Sequence, residues 1–384
     1  MSSNVAKNPR TWVEISRIAM VSNVAALQAL LEPTVSLCAF VKSFAYGHDI
    51  SLTTKLLGES GVTHFGVDSL DEALAVRAVA PDAAIFIMGM VPAERFDEVV
   101  KHDCVQNIYD EEGLLAIIAA AVAKQKVALI NIEIETGLNR LGVIERVLVD
   151  LLRTIKNNPR SVKLVGLSTH LSSAEDVAEQ HYVYAQEDGL QRALELCASY
   201  ELSVPFVHCA NSAATIFAPR VHDTMVRVGI ALYGLWPSAE LRLAVQRGRA
   251  FELQPVLSWK TTVAQIKDVP AGGAIGYDRT FITNRAIRVA VLLVGYWDGY
   301  DRGLSNKGKV LIHGRPCAVL GRICMNMMMV DVSEIAQVKA GDIVTLLGRE
   351  GIGMVTAETI AQELGTINYE VVTRINPLIP RLVV

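Results

Sequence analysis

The chain has 384 residues, of which 51% are hydrophobic and 20% charged, and its formal net charge is −4. This length predicts two domains, and the charge balance does not favour a nucleic acid or an anionic membrane surface as a partner. No apolar run approaches the ~20 residues of a membrane-spanning helix, and the first ten residues lack the apolar core of a signal peptide. The six cysteines are scattered without a CxxC pair, which favours reduced thiols in a cytoplasmic protein over a disulfide framework or a zinc site.

From about residue 30 to residue 235, short apolar runs alternate with segments of helical periodicity. This alternation predicts an α/β barrel of the (β/α)8, TIM-like type over residues 12–245. The predicted strands are Val35–Val41, His64–Asp68, Ala84–Gly89, Val105–Tyr109, Val127–Glu133, Lys163–Thr169, Pro205–Ala210 and Thr224–Ile230. The predicted helices include Leu70–Val79, Glu111–Lys124, Val143–Lys156 and a helix within Ala174–Tyr200.

After about residue 245 the pattern changes to runs rich in Val, Ile and Thr, separated by glycine-containing turns. Strands are predicted at Leu257–Val269, Ile287–Val294, Gly308–Ile312 and Asp342–Leu347, with one helix at Thr356–Leu364. Residues 246–384, together with residues 1–11, are therefore predicted to form a second, mainly β domain.

Lys42 follows the first predicted barrel strand, and catalytic residues of such barrels lie where strands end. Partial burial favours the neutral, nucleophilic form of an amine, and a lysine in this setting is the residue that holds pyridoxal phosphate as a Schiff base. Taken alone, Lys42 is more simply a strand-end lysine that extends into solvent. The other strand ends decide between these interpretations.

Polar side chains follow four later strands and are expected on the same rim as Lys42. They lie at Glu133–Arg140, at His170, at Asn211–Ser212 and at Arg227–Ile230.

Ser212 and Gly229 favour a phosphate site, because barrel enzymes often bind phosphate with the last two loops. Gly229 alone fits a tight turn equally well.

Arg227 lies in an apolar stretch, so its guanidinium needs a partner. Arg227 is either a member of a structural ion pair or a fixed cation beside a cofactor ring. In both cases His170, expected on the same rim, could hold the guanidinium in place.

Taken together, several segments resemble the alanine racemase family, and the resemblance runs nearly from end to end of the chain. One such segment is weak evidence, but all of them in this order are highly specific. They are Val41-Lys42 with Ala45–His48, Glu135–Gly142, Ala210–Ala214, Arg227–Ile230, Ile275–Thr280, Gly295–Tyr300, Gly321–Met325 and Asn368–Val371.

The resemblance implies an isomerase that uses pyridoxal 5′-phosphate and two bases on opposite faces of the substrate. Lys42 would anchor the cofactor and act as one base. Tyr277 would be the second base, reaching the active site of the other subunit, so that a homodimer is needed for activity. The phosphate would be held by Tyr46, Ser212, Tyr369 and the backbone of Gly229 and Ile230.

The resemblance also assigns the remaining site residues. Arg227, supported by His170, would face the pyridine nitrogen and disfavour its protonation. Arg140 and the backbone N–H of Met325 would hold the substrate carboxylate.

The chain departs from the family pattern at several positions. Glu133 stands where many members carry a carbamylated lysine, and we hypothesise that its carboxylate orients Arg140 instead. Asn326 replaces a common aspartate, and Phe44 and Trp297 are larger than usual. These three positions bear on the substrate pocket and on its mouth.

The first interpretation is therefore an alanine racemase that supplies D-alanine for peptidoglycan precursors. The alternative is a racemase of the same fold with broader specificity, or one acting on serine or on basic amino acids. An amino-acid decarboxylase is disfavoured by Arg227, because such enzymes pair the ring nitrogen with a carboxylate. A non-enzymatic cofactor-binding protein is disfavoured by Tyr277 and by the large β domain.

Overall fold

The structure, a computed structural model, describes residues 9–248 and 250–384. The chain forms two compact units. Among the described residues, the barrel unit contains Ala19–Ala45 and Ile50–Gln254, and the β unit contains residues 9–18, Tyr46–Asp49 and Pro255–Val384. No helix in the described part of the chain is long and apolar enough to cross a membrane.

Within the described residues, eight parallel strands follow one another in chain order around the barrel unit, and the first strand pairs with the eighth. Between the seventh and eighth strands, Thr224 N–H donates to Val207 O (3.2 Å) and Arg227 N–H to Ala210 O (2.8 Å). The barrel prediction is confirmed, with ends that differ by a few residues. The strands are Ser36–Phe40, His64–Val67, Ala84–Ile87, Val105–Ile108, Ala128–Glu133, Val162–Ser168, Phe206–His208 and Met225–Val228.

Local chemistry fixes where the barrel helices begin. Ser69 caps the helix Leu70–Val79 and forms a capping box with Glu72, and Asp110 caps the helix that starts at Glu111. The α-helices that lie wholly or mainly in this unit are Arg17–Gln28, Ile50–Glu59, Leu70–Val79, Phe96–Lys101, Glu111–Lys124, Glu145–Asn157, His181–Ser199, Ser212–Phe217 and Ala239–Gly248.

The barrel interior has an apolar cluster and a polar group of side chains. Cys38, Phe86, Val105, Val165 and Met225 pack together, each contributed by a different strand. Burial raises the pKa of the Cys38 thiol to about 12, so this side chain acts as a neutral core residue. The polar group belongs to the site described below.

The β unit is built on one long strand, Leu257–Val269, which pairs with Thr11–Ile15, Ile287–Leu292 and Ile343–Glu350. Thr11–Ile15 therefore belongs to this unit, whereas the sequence prediction placed residues from 12 onward in the barrel. Its pairing partners lie hundreds of residues away, which local periodicity does not reveal. Residues 1–8, which the prediction also assigned to this domain, lie outside the described residues.

The other strands of the β unit extend this sheet or form a small hairpin. The single predicted helix is present, but a second helix that the sequence analysis did not predict, Asn368–Thr373, follows it. The remaining strands are Lys309–Ile312, Arg315–Leu320, Met328–Asp331, Gly353–Val355 and Arg381–Val383, with the hairpin strands Ala274–Ile275 and Phe281–Ile282, and the first helix is Ala357–Leu364.

Candidate active site

Lys42 lies half-buried at the end of the first barrel strand, as predicted, and an unusual turn follows it. Ser43, Phe44, Ala45 and Tyr46 all have positive φ angles, between 52° and 57°. A left-handed conformation costs about 1–2 kcal/mol for each residue that carries a Cβ, so contacts must hold this turn. One of them joins the Ala45 N–H to the Val41 carbonyl at 2.9 Å.

Tyr46 is held in the β unit, next to the second predicted phosphate-binding tyrosine. The rings of Tyr46 and Tyr369 lie 6.3 Å apart between centroids. Gly47, at φ +85°, packs so closely against the Val372 carbonyl that a Cβ would overlap that oxygen. The Arg381 guanidinium donates to the Gly47 carbonyl at 2.9 and 3.0 Å. The fold therefore places both tyrosines together although more than 300 residues separate them in sequence.

Arg227 is buried, and the barrel backbone and two histidines hold its terminal nitrogens. One of these nitrogens donates to His208 Nδ1 (2.8 Å) and to the His208 carbonyl (2.6 Å). The other donates to the Thr169 carbonyl (2.8 Å) and to His170 Nδ1 (3.1 Å). Among the described residues no acceptor faces the Nε–H. Burial, with the charge of Arg227, lowers the pKa of His170 to about 3, so His170 is neutral.

Ser212 begins the helix after the seventh strand, and its hydroxyl meets the backbone after the eighth. The Gly229 N–H and the Ala231 N–H both point at Ser212 Oγ, at 3.0 and 3.4 Å. Ile230 begins the 3-10 turn that follows. The predicted barrel-unit phosphate donors are therefore neighbours, and they form a backbone and hydroxyl pocket of the kind that binds phosphate oxygens.

Glu133 is buried at the end of the fifth strand. It faces Arg140, which lies in the loop that follows this strand. The nearest oxygen and nitrogen of the two side chains are 3.9 Å apart, and Asn107 Nδ2 donates to the other Glu133 oxygen at 3.2 Å. Burial raises the pKa of Glu133, while the charges of Arg227 and Arg140 oppose the shift. Arg140 itself is more than half exposed, so its guanidinium can meet a ligand.

In the β unit, Tyr277 lies on an exposed turn, and 67% of its surface is accessible. The turn is held because Asp278 pairs with Arg322 at 2.7 Å. Asp278 and Arg279 have positive φ angles, as does Gly276 just before the tyrosine. The phenol is thus presented on a fixed backbone rather than on a loose loop.

Met325 lies in a turn whose backbone is tied to the segment around Trp297. The Met325 carbonyl accepts from the Trp297 N–H at 2.9 Å, and the Cys324 carbonyl accepts from the Tyr296 N–H at 3.0 Å. No acceptor within the described ranges meets the Met325 N–H, which leaves it available for a ligand. Asn326 is half-buried beside it.

Several residues that support these groups were not predicted from the sequence. His208, Asn131 and Asn107 lie on barrel strands, are buried, and connect Arg227 with Glu133. A signal was present in the sequence, because each is a polar residue inside an apolar run and a buried polar group needs partners. Gln186 was also missed. It holds Thr136 (3.2 Å) and the His170 carbonyl (3.1 Å) from the helix His181–Ser199.

A lysine, a buried arginine and a hydroxyl–glycine pocket at the strand ends of a barrel define a cofactor-dependent α/β-barrel enzyme. Comparison with known proteins agrees. The family model "Alanine racemase, N-terminal domain" matches residues 15–237, and "Alanine racemase, C-terminal domain" matches residues 256–383. The chain is 37% identical to the alanine racemase of Leptospira interrogans serovar Lai over 386 residues, covering 100% of this chain and 98% of that protein.

Solved structures agree with the family models. The alanine racemase of Bacillus anthracis with bound L-Ala-P matches with a TM-score of 0.91 at 32% identity, over 98% of this chain and 95% of that one. The alanine racemase of Bartonella henselae with covalently bound pyridoxal phosphate matches with a TM-score of 0.85 at 25% identity, over 98% and 100%. The chain belongs to the alanine racemase family, whose members are pyridoxal-phosphate-dependent isomerases.

Proposed function

We propose that this chain interconverts L- and D-alanine, with Lys42 and Tyr277 as the two groups that exchange the α-proton. Racemisation removes the proton from one face of Cα and returns a proton to the other face, so it needs one base on each side. The Lys42 amine at the barrel rim and the Tyr277 phenol on the exposed β-unit turn are the two candidates.

The hydrogen bonding of Arg227 is the observation that carries this proposal. Both of its terminal nitrogens are engaged by the barrel, and its Nε–H remains to meet the nitrogen of a pyridine ring. Pyridoxal phosphate, when bound, withdraws electrons from the substrate Cα and so acidifies its proton. Since a guanidinium keeps its own proton, Arg227 would donate to the ring nitrogen of a bound cofactor and disfavour the protonation of that nitrogen. That limits electron withdrawal and favours racemisation over decarboxylation.

The phosphate of the cofactor would meet two sets of groups. The barrel unit supplies the Ser212 hydroxyl with the backbone of Gly229 and Ile230, and the β unit supplies the phenols of Tyr46 and Tyr369.

Arg140 and the Met325 N–H would hold the substrate carboxylate. The Glu133 carboxylate, 3.9 Å from the Arg140 guanidinium, would orient it in place of the modified lysine of many relatives. The Glu133→Gln variant tests this role. We expect a higher KM for alanine with cofactor retention largely unchanged, and an unchanged KM would refute the role.

We infer that the active form is a homodimer in which Tyr277 acts on the partner's substrate. The β unit exposes several large apolar side chains besides Tyr277, among them Ile282, Trp297 and Met327. Large exposed apolar side chains are the kind of group that an interaction surface covers. A second copy of the chain is the partner that would bring two exposed tyrosines to two barrel rims.

The proposed role is the supply of D-alanine for peptidoglycan precursors in the cytoplasm. The six cysteines are free thiols, and five of them are buried, which suits a reducing compartment.

The alternative of broader substrate specificity rests on Trp297, whose N–H donates to the Met325 carbonyl, and on Asn326, the residue after Met325. A larger or more polar side chain on the substrate would have to be accommodated by these residues. Serine and basic amino acids are therefore the competing substrates to measure.

The deciding experiment incubates the purified holoenzyme with each L-amino acid in deuterated water. We expect α-deuterated L- and D-alanine to form faster than the deuterated enantiomers of any other amino acid. Fast racemisation of another amino acid, with slow racemisation of alanine, would select the alternative. Carbon dioxide release without racemisation would overturn both.

A further inference from the structure

A continuous chain of hydrogen bonds crosses the barrel interior from Arg227 to Glu133. Arg227 donates to His208 Nδ1 at 2.8 Å, and His208 Nε2 meets Asn131 Oδ1 at 3.1 Å. Asn131 Nδ2 then donates to Asn107 Oδ1 at 2.8 Å, and Asn107 Nδ2 donates to Glu133 Oε2 at 3.2 Å. All five side chains are more than nine-tenths buried, so water does not replace these bonds.

The direction of every bond in this chain follows from Arg227, because a guanidinium has donors only. His208 Nδ1 must therefore accept, and a neutral His208 carries its proton on Nε2. Burial lowers the pKa of His208 well below its ordinary value, in keeping with the neutral ring. His208 then donates to the Asn131 oxygen, which turns the Asn131 amide nitrogen towards Asn107.

The same logic fixes the far end of the chain. Asn107 accepts with its oxygen, so it presents its amide nitrogen to Glu133. Glu133 Oε2 can only accept this bond. The charged and titratable groups that face Glu133 are Arg227, Arg140, Glu135 and Tyr109.

We propose that Arg227 sets the orientation of Glu133 through His208, Asn131 and Asn107, and thereby holds Arg140 ready for the substrate carboxylate. The three intermediate residues are positioning residues. This inference rests on the proposed function only in assigning the substrate carboxylate to Arg140. It couples the group that faces the cofactor ring with the group that binds substrate.

One packing detail belongs to the same arrangement. Gly166 on the sixth strand lies opposite Asn131, and a Cβ there would overlap Asn131 Oδ1. The strand register shifts at this point, which brings a glycine rather than Val165 to face the amide. The fold therefore leaves space for Asn131 Oδ1, the oxygen that accepts the hydrogen bond from His208.

The first test is nitrogen NMR on holoenzyme with 15N-labelled histidine, with the His208 signals assigned by their loss in a His208→Phe variant. We expect a protonated Nε2 and an unprotonated Nδ1 that do not change over the pH range of activity. A ring protonated on Nδ1, or on both nitrogens, would overturn the proposal. This readout does not depend on turnover.

The second test separates a positioning role from a merely structural one. We expect Asn107→Leu to raise the KM for alanine about tenfold with a smaller change in kcat, as loss of one hydrogen bond to a charged group predicts. In a Glu133→Gln background, Asn107→Leu should add little further effect, because both changes interrupt the same chain. Independent, multiplicative effects would contradict the coupling.

Asn107→Asp provides a pH readout. An acid facing Glu133 must share a proton with it, so the KM of this variant should rise with pH more steeply than that of the wild type. A parallel pH profile in the two enzymes would count against the proposal.

Ser168→Ala is the matched control. The buried Ser168 hydroxyl accepts a hydrogen bond from Asn131 at 2.9 Å, but it does not lie between Arg227 and Glu133 in the series of hydrogen bonds. It should lower stability without changing the KM. If the wild type racemises alanine but the NMR or coupling results fail, the inference alone is wrong. A wild type that does not racemise alanine would instead refute the proposed function.

Discussion

The backbone N–H of Ser43 donates to the Glu72 carboxylate at 2.6 Å. The other oxygen of Glu72 accepts from the Asp68 and Ser69 N–H groups, just before the helix Leu70–Val79, at 2.9 and 3.3 Å. One carboxylate therefore ties the left-handed turn after Lys42 to the adjacent strand end. The position of the Lys42 amine depends on a residue that does not touch it.

Replacement of Glu72 by Gln should loosen this turn. The amide nitrogen cannot accept the bonds from the Asp68 and Ser69 N–H groups and from Ser43, so we expect a loss of about 1–2 kcal/mol of stability. Chemical denaturation measures the loss, and visible absorbance after dialysis measures retained cofactor, which should fall. Asp71→Asn is the control, since Asp71 is an exposed acid in the same helical turn. Equal effects in the two variants would argue against a special role for Glu72.

Gly47→Ala should displace Tyr46 and weaken cofactor binding. An alanine at position 47 would have an unfavourable φ of +85°, and its Cβ would also overlap the Val372 carbonyl oxygen. Gly61 isolates the first effect, because it has φ +86° with open space around it. We expect Gly61→Ala to cost about 1 kcal/mol and to leave cofactor binding unchanged. Similar cofactor dissociation constants in the two variants would show that the contact with Val372 does not position Tyr46.

Asp223→Asn should stabilise the protein at neutral pH. Burial raises the folded-state pKa of Asp223 from 3.8 to about 6, so between these values the folded protein binds more protons than the unfolded chain. Wild-type stability therefore falls as pH rises across this window. The variant avoids the buried charge and should gain on the order of 1–2 kcal/mol above pH 6.

Unfolding curves of both proteins across the window check this prediction. The difference in the free energy of unfolding should shrink as pH falls from about 6 and disappear below 3.8, where both side chains are neutral. A difference that is constant with pH would show that the Asp223 charge is not its source.

Gly166→Ala should destabilise the barrel by about 1–3 kcal/mol, because the new Cβ overlaps the Asn131 side chain in a packed interior. Gly58→Ala is the matched control of opposite sign. Gly58 lies in the helix Ile50–Glu59, and a Cβ added there has nothing within 4 Å, so alanine should stabilise that helix by about 0.5–1 kcal/mol. Thermal unfolding of both variants measures the contrast, and a neutral Gly166→Ala would refute the close packing.

The barrel could be read from the sequence because its strands are continuous apolar runs separated by helical periodicity. Runs such as Val35–Val41 and Val105–Tyr109 contain the observed strands with only small differences at their ends. The helix Asn368–Thr373 was missed because it is only six residues long and gives little periodic signal. The strand Thr11–Ile15 was misplaced because its sheet partners are distant in the chain.

The candidate site residues came from sequence motifs, but their support did not. The left-handed turn after Lys42 contains no glycine between Ser43 and Tyr46, so nothing local predicts positive φ angles there. Glu72 is simply the third residue of a helix in the sequence, and its bond to Ser43 exists only because two strand ends meet. Asn107 and Asn131 gave a weak signal as polar residues in apolar strands, but their pairing depends on strand register.

The interleaving of the two units bears on how the protein is made. Thr11–Ile15 is translated before the barrel, yet it pairs with Leu257–Val269 and, in parallel, with Arg381–Val383. The strands of the barrel can pair with one another as soon as they are translated, whereas Thr11–Ile15 must wait until both of its partner strands have been translated. A single cut between residues 254 and 255 would therefore release a carboxyl-terminal fragment whose central strand has lost a neighbour.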